Sequence, residues 1–152
     1  MKPSCPLVIY IATSAGRNLH AYFLLRDRLE ESGHRVLDWT KLPEFPLDPD
    51  MPADLRRRES NRDTFGKVFA FCAEAATSAD VTIYLGPSGQ DAACEVSLAW
   101  SLGVRTFGLR GLFEAPGTIL NRVIKEWFDD PLSLLQAVER LAEEKAEAGF
   151  LE

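Results

Sequence analysis

The sequence predicts a three-layer α/β fold, doubly wound, with a five-stranded parallel sheet covered by helices on both faces. Three observations carry that expectation. Short, solidly apolar runs rich in β-branched residues recur along the chain, as strands buried on both faces require. Segments with apolar residues at helical spacing separate them. At 152 residues, with 46% apolar and 26% charged side chains, the chain is one domain long enough to bury a full core.

PLVIYIA (6–12) reads as the first strand. After the polar turn TSAGRN, a helix over about 18–32 places Leu19, Tyr22, Phe23, Arg26 and Leu29 on one side, and Gly33 ends it. HRVLDW supplies the second strand. The stretch 41–51 holds Pro43, Pro46 and Pro49 and reads as a loop. Asp50 and Pro52 then mark a helix start, and that helix runs to about 78 with a core seam of Phe65, Phe69, Cys72, Ala76 and Ala79. ADVTIYL is the third strand, 92–102 the third helix, VRTFGLR the fourth strand and VIKEWF (123–128) the fifth. From Pro131 to about 147 an amphipathic helix presents Leu134, Leu135, Val138 and Leu141. Right-handed crossovers make this arrangement flavodoxin-like.

In such sheets ligands bind beyond the carboxyl ends of the strands. Function is therefore expected in TSAGRN, DWTKLP, GPSGQD and RGLFEAPG, whereas Asp80, at the opposite end of its strand, has a structural role. The net charge of −6 argues against nucleic acid or an anionic membrane as partner. The basic run Arg56, Arg57, Arg58 with Arg62 reads as a solvated helix face. No run is long and apolar enough to span a bilayer, and the start shows no signal peptide. The odd set Cys5, Cys72 and Cys94 lacks metal-ligand spacing, so reduced thiols in the cytoplasm are expected, with neither a metal nor a cofactor. Cys94 reads as a packed thiol, Trp100 and Trp127 as core residues. His20 reads as a solvated helix residue and His34 as a turn residue, neither of them catalytic.

The loop after the third strand carries the sharpest signal. Ser88 as helix cap with Asp91 three residues on fits a capping box, and Glu95 follows on the same face. A carboxylate on a helix side flanked by Ala92, Leu98 and Ala99 needs a reason. It is either a partly exposed residue paired with an arginine such as Arg17, or a chemical group. Two carboxylates in a small cleft suit glycosidic-bond chemistry. Ser14, Gly16 and Arg17 after strand one could meet a phosphate at a helix start. Gly86, Ser88 and Gly89 extend the candidate binding set, and Trp39 either stacks on a base or lids the core.

The segment ADVTIYLGPSGQDAACEVSLAWSLGVRTFGL, with VIYIATSAGR and GHRVLDW before it, resembles the nucleoside 2-deoxyribosyltransferase superfamily over most of residues 7–110. That resemblance implies Glu95 as the nucleophile attacking C1′ of a deoxyribose and Tyr10 as its orienting residue. It also implies a nucleoside or nucleotide substrate and a homo-oligomer whose neighbouring subunit helps complete the site. Where the family carries an aspartate on its long helix this chain has Cys72, and Gly89 stands where transferases place a base-handling aspartate, with Asp91 two residues on. The Pro-Ser-Gly wording is closer to the branch that hydrolyses deoxynucleoside 5′-monophosphates, in which loop serines hold the phosphate. Two other readings stand beside this one: a catalytically degenerate nucleotide-binding sensor of the same fold, and a flavodoxin-like FMN protein suggested by the TSAGRN loop.

Overall fold

The structure, a computed structural model, describes residues 5–42 and 63–149, with side chains from residue 66 in the second stretch. Its elements run β1 (Val8–Ala12), α1 (Ala15–Glu31), β2 (Arg35–Val36), a 3₁₀ turn (Trp39–Lys41), α2 (Asp63–Ser78) and β3 (Val81–Leu85), followed by α3 (Gln90–Ser101), β4 (Arg105–Leu109), α4 (Thr118–Val123), β5 (Glu126–Phe128) and α5 (Pro131–Gly149). The strands form one parallel sheet in the order β2-β1-β3-β4-β5, the flavodoxin-like order. β3 is buried along its whole length, as a central strand covered on both faces must be.

Right-handed crossovers place α1 on one face and α2 to α4 on the other. α2 packs on α3, and α3 on α4. α5 reaches back to β2 through Glu139, which meets the His34 imidazole at 3.3 Å. His34 is thus no simple turn residue: it is buried, and its Nδ1 accepts the Leu7 N–H at 3.2 Å. Asp80 has the structural role expected, accepting from the Val8 N–H at 2.7 Å and from Lys145 Nζ at 2.6 Å. Gly33, at φ 96°, closes α1 in a conformation that side chains resist.

Several elements differ from the sequence reading. α1 starts at Ala15, inside the turn expected to precede it. β2 is two residues long because Asp38 turns the chain into the 3₁₀ segment by accepting the Thr40 N–H. α4 was not expected, and it takes Val123 out of the fifth strand, which begins at Glu126. Phe69, expected on the core seam of α2, is 69% exposed, while Cys72 is half-buried and Ala76 buried on the same helix. Trp100 is also exposed, with Lys125 Nζ 5.6 Å above its ring. Trp127 is half-buried against Tyr84. Cys94 is an exposed free thiol, because α3 turns Ala92, Val96 and Ala99 inward instead. His20 is exposed, as expected. The proline-rich loop, the helix start at Asp50 and Pro52, the basic run and the Phe65 side chain lie outside the described residues.

Candidate functional site

β1 and β3 are neighbours whose connections leave in opposite directions, one to α1 and the other to α3, which opens a crevice at their carboxyl ends. A cavity of about 600 Å³ occupies it. Tyr10, Thr13, Ser14, Ala15 and Gly16 line one side, Trp39 another, Val68 and Cys72 come from α2, and Ser88 to Ala92 with Glu95 complete the wall. Eight of the ten residues singled out from the sequence therefore meet in one cavity. Arg17 and Gly86 do not line it. Arg17 is exposed on the first turn of α1, and Gly86 packs closely against Glu114 and the Tyr84 ring.

Glu95 is the most perturbed carboxyl group of the cavity. Burial pushes it up from 4.5 to about 7, and Asp91, one turn earlier on α3, adds repulsion in the same direction. Hydrogen bonds from the Tyr10 phenol and the Cys72 thiol oppose both effects. Tyr10 lies on β1 and is 1% exposed; burial first, then Glu95, holds its pKa far above the usual phenol range. Burial likewise raises Cys72 to about 11. Both groups are therefore neutral donors at neutral pH, facing a carboxylate poised to change charge there. Two donors, from β1 and α2, thus offset only part of the cost of carrying an acid on the helical stripe.

The loops around the cavity expose backbone rather than side-chain caps. Ser88 does not cap α3: the N-cap is Gly89, with no side-chain cap bond, and Ser88 Oγ is buried without a hydrogen-bond partner in the cavity wall. Ser14, the N-cap of α1, likewise makes no side-chain cap bond. The first N–H groups of a helix have no partner within it, and they carry the positive end of the helix dipole. Two such ends, from α1 and α3, converge here. At Gly16 and Gly89 a Cβ would meet nothing within 4 Å, so both positions border open space.

Three polar clusters brace these loops, and sequence reasoning named none of them. Asn18, the one residue of α1 with non-helical angles, donates through Nδ2 to the Pro87 carbonyl at 2.6 Å and the Leu85 carbonyl at 3.3 Å. Thr13 Oγ1 donates to the same Leu85 carbonyl at 2.9 Å. From the other side the Tyr84 hydroxyl donates to Glu114 Oε1 at 2.6 Å and accepts the Ser88 N–H at 3.1 Å. Beneath Trp39, the buried Asp38 carboxylate accepts from the Tyr22 hydroxyl at 2.8 Å, from Arg26 Nη1 at 3.0 Å and from Thr40. Those bonds outweigh burial and hold its pKa below the usual carboxylate value. Trp39 itself is buried; its Nε1 donates to the Ile11 carbonyl at 3.2 Å and its ring packs on Tyr22. It is both a lid on the core and part of the cavity wall.

No helix among the described residues is long and apolar enough to cross a membrane. Among those residues, no group of three or more His, Cys, Asp and Glu side chains could hold a metal ion. No protein-family model and no curated protein matches the sequence. Solved structures do match the fold. A 2-deoxyribosyltransferase from Bacillus psychrosaccharolyticus superposes with a TM-score of 0.58 at 18% identity, covering 84% of this chain and 89% of its own. The CMP N-glycosidase BcmB of Clostridium botulinum superposes with a TM-score of 0.51 at 14% identity, covering 87% of this chain and 98% of its own. The chain has the fold of these two proteins, the fold that the resemblance to the nucleoside 2-deoxyribosyltransferase superfamily implied.

Proposed function

We propose that the protein cleaves the N-glycosidic bond of a nucleoside 5′-monophosphate, or transfers its 2-deoxyribosyl group, through Glu95. One observation carries the reading: a carboxylate at the mouth of a parallel sheet, raised to about 7, faces a cavity of about 600 Å³ and is held by Tyr10 and Cys72. In the first step a Glu95 oxygen bonds to C1′ as the C1′–N bond breaks, and the electron pair leaves with the base. The base takes a proton by way of Asp91 or solvent. Water, or a second base, then attacks C1′ and frees the carboxylate. Tyr10 and Cys72 orient Glu95 and share its charge.

Two features favour a substrate with a 5′-phosphate. Ser14 offers a hydroxyl, and the two helix starts offer N–H groups and a positive field. The name of the CMP N-glycosidase points the same way. Exposed apolar side chains, Phe69 and Phe113 above all, support a homo-oligomer, which light scattering would show.

Incubation with a panel of 2′-deoxynucleoside 5′-monophosphates, monitored for free base, tests the reading. Release by the wild-type protein that disappears in Glu95→Ala is expected; release unchanged by that substitution overturns it. A second reading, a nucleotide-binding sensor without turnover, draws on Cys72 standing where the family carries an aspartate. Binding of a nucleotide with no base release by the wild-type protein would select it.

A further inference from the structure

Glu114 stands behind the cavity wall, at the end of the cluster that holds Tyr84. It is half-buried, lies beyond the carboxyl end of β4 and does not line the cavity. Its two oxygens are both engaged: Oε1 accepts the Tyr84 hydroxyl at 2.6 Å, and Oε2 accepts the Gly111 N–H at 2.8 Å. The phenol oxygen in turn accepts the N–H of Ser88, a residue of the cavity wall whose Oγ is buried without a partner. Packing around this chain leaves no slack. A Cβ on Gly86 would overlap Glu114 Oε2, and one on Gly111 would overlap the Pro87 ring. The loop that carries Ser88 is thus closed onto the loop after β4, while Asn18 holds its Leu85 and Pro87 carbonyls from the opposite side.

We propose that Glu114 is a positioning residue: through the Tyr84 phenol it fixes the Ser88 amide, and with it the loop and the first turn of α3 that meet the ligand. A carboxylate suits this place because one rigid group accepts two donors from different loops, and acceptance by an ionised group strengthens both bonds. The ligand side of the proposal rests on the nucleotide reading of the cavity; the brace itself does not.

The test uses Tyr84→Phe, which removes only the hydroxyl, with Glu114→Ala and Glu114→Gln. Two measurements are made on each variant: amide hydrogen exchange at Ser88, and binding and turnover of the common 2′-deoxynucleoside 5′-monophosphates. Loss of the anchoring bond speeds Ser88 exchange about tenfold in Tyr84→Phe and Glu114→Ala and weakens nucleotide binding by a similar factor. kcat changes less than KM, because Glu95 and Tyr10 stay in place. Glu114→Gln, which keeps an oxygen for the Tyr84 hydroxyl, recovers most of the protection. Ser88 exchange at the wild-type rate in both Tyr84→Phe and Glu114→Ala overturns the brace. If the wild-type protein binds no nucleotide, the reading of the cavity falls, and Ser88 exchange alone then upholds or overturns Glu114.

Discussion

Replacing Glu95 by Gln should stabilise the protein at alkaline pH and do much less at acid pH. In the unfolded chain this carboxyl titrates near 4.5, whereas burial beside Asp91 moves it to about 7 in the fold. Between those values the native state holds the proton and the unfolded state does not. Wild-type stability therefore falls as pH climbs from about 4.5 to about 7 and stays level above, as far as this group decides it. The interval corresponds to about 3 kcal/mol. Glutamine cannot ionise, and its carbonyl oxygen still accepts from Tyr10 or Cys72. The variant should accordingly gain up to about 3 kcal/mol at about pH 8, but less than about 1 kcal/mol at about pH 5. Urea unfolding of both proteins at both pH values measures the difference, and comparing the two differences cancels the other titrating groups. An advantage that is the same at both pH values, or a variant less stable than wild type at about pH 8, would refute the claim that the fold holds this carboxylate at a cost.

Turnover should show the same ionisation with a functional sign. In the proposed reaction the attacking form is the carboxylate, so kcat/KM should rise about tenfold per pH unit below about 7 and level off above it; a profile already flat from about pH 5 upward would contradict this. Asp38→Ala should destabilise the fold by about 1–3 kcal/mol, since it strands the Tyr22 hydroxyl and takes one of its two carboxylate partners from Arg26, which keeps Asp27. The Asp38 contribution is present above the ordinary carboxylate value and is lost as pH falls through the lowered native value, which urea unfolding across acid pH would follow. Gly111→Ala should cost about 1–3 kcal/mol, because its Cβ meets the Pro87 ring and backbone, whereas Gly16→Ala, with open space around it, should leave thermal stability nearly unchanged.

The parallel sheet was legible because β1 and β3 are almost wholly apolar runs, and the position of the cavity followed from the rule that ligands bind beyond the carboxyl ends of parallel strands. Glu95 stood out because an acid on an apolar helical stripe contradicts the local pattern, and such contradictions mark functional positions. What the sequence hid was set by long-range partners. Nothing local distinguishes Asp38 from a strand residue until Tyr22, Arg26 and Thr40 converge on it. The capping box at Ser88 was a sound local inference, but Tyr84 takes the Ser88 amide and the helix starts one residue later, at a glycine cap. Phe69 and Trp100 fit helical periodicity yet face outward, because periodicity shows that residues share a side without showing which side meets the sheet. Asn18, in the first turns of α1, and Glu114, in the loop after β4, lie in segments expected to carry function, but their bonds cross 69 residues to Pro87 and 30 residues to Tyr84.

The covalent role proposed for Glu95 is tested most directly by trapping. The protein is mixed with a 2′-deoxynucleoside 5′-monophosphate that it cleaves, quenched in acid within the first turnover, and digested for mass spectrometry. A deoxyribose 5-phosphate ester on the peptide carrying Glu95, absent from Glu95→Gln, is the predicted result. A sugar adduct on another residue, or base release that continues in Glu95→Gln with no adduct, would contradict it.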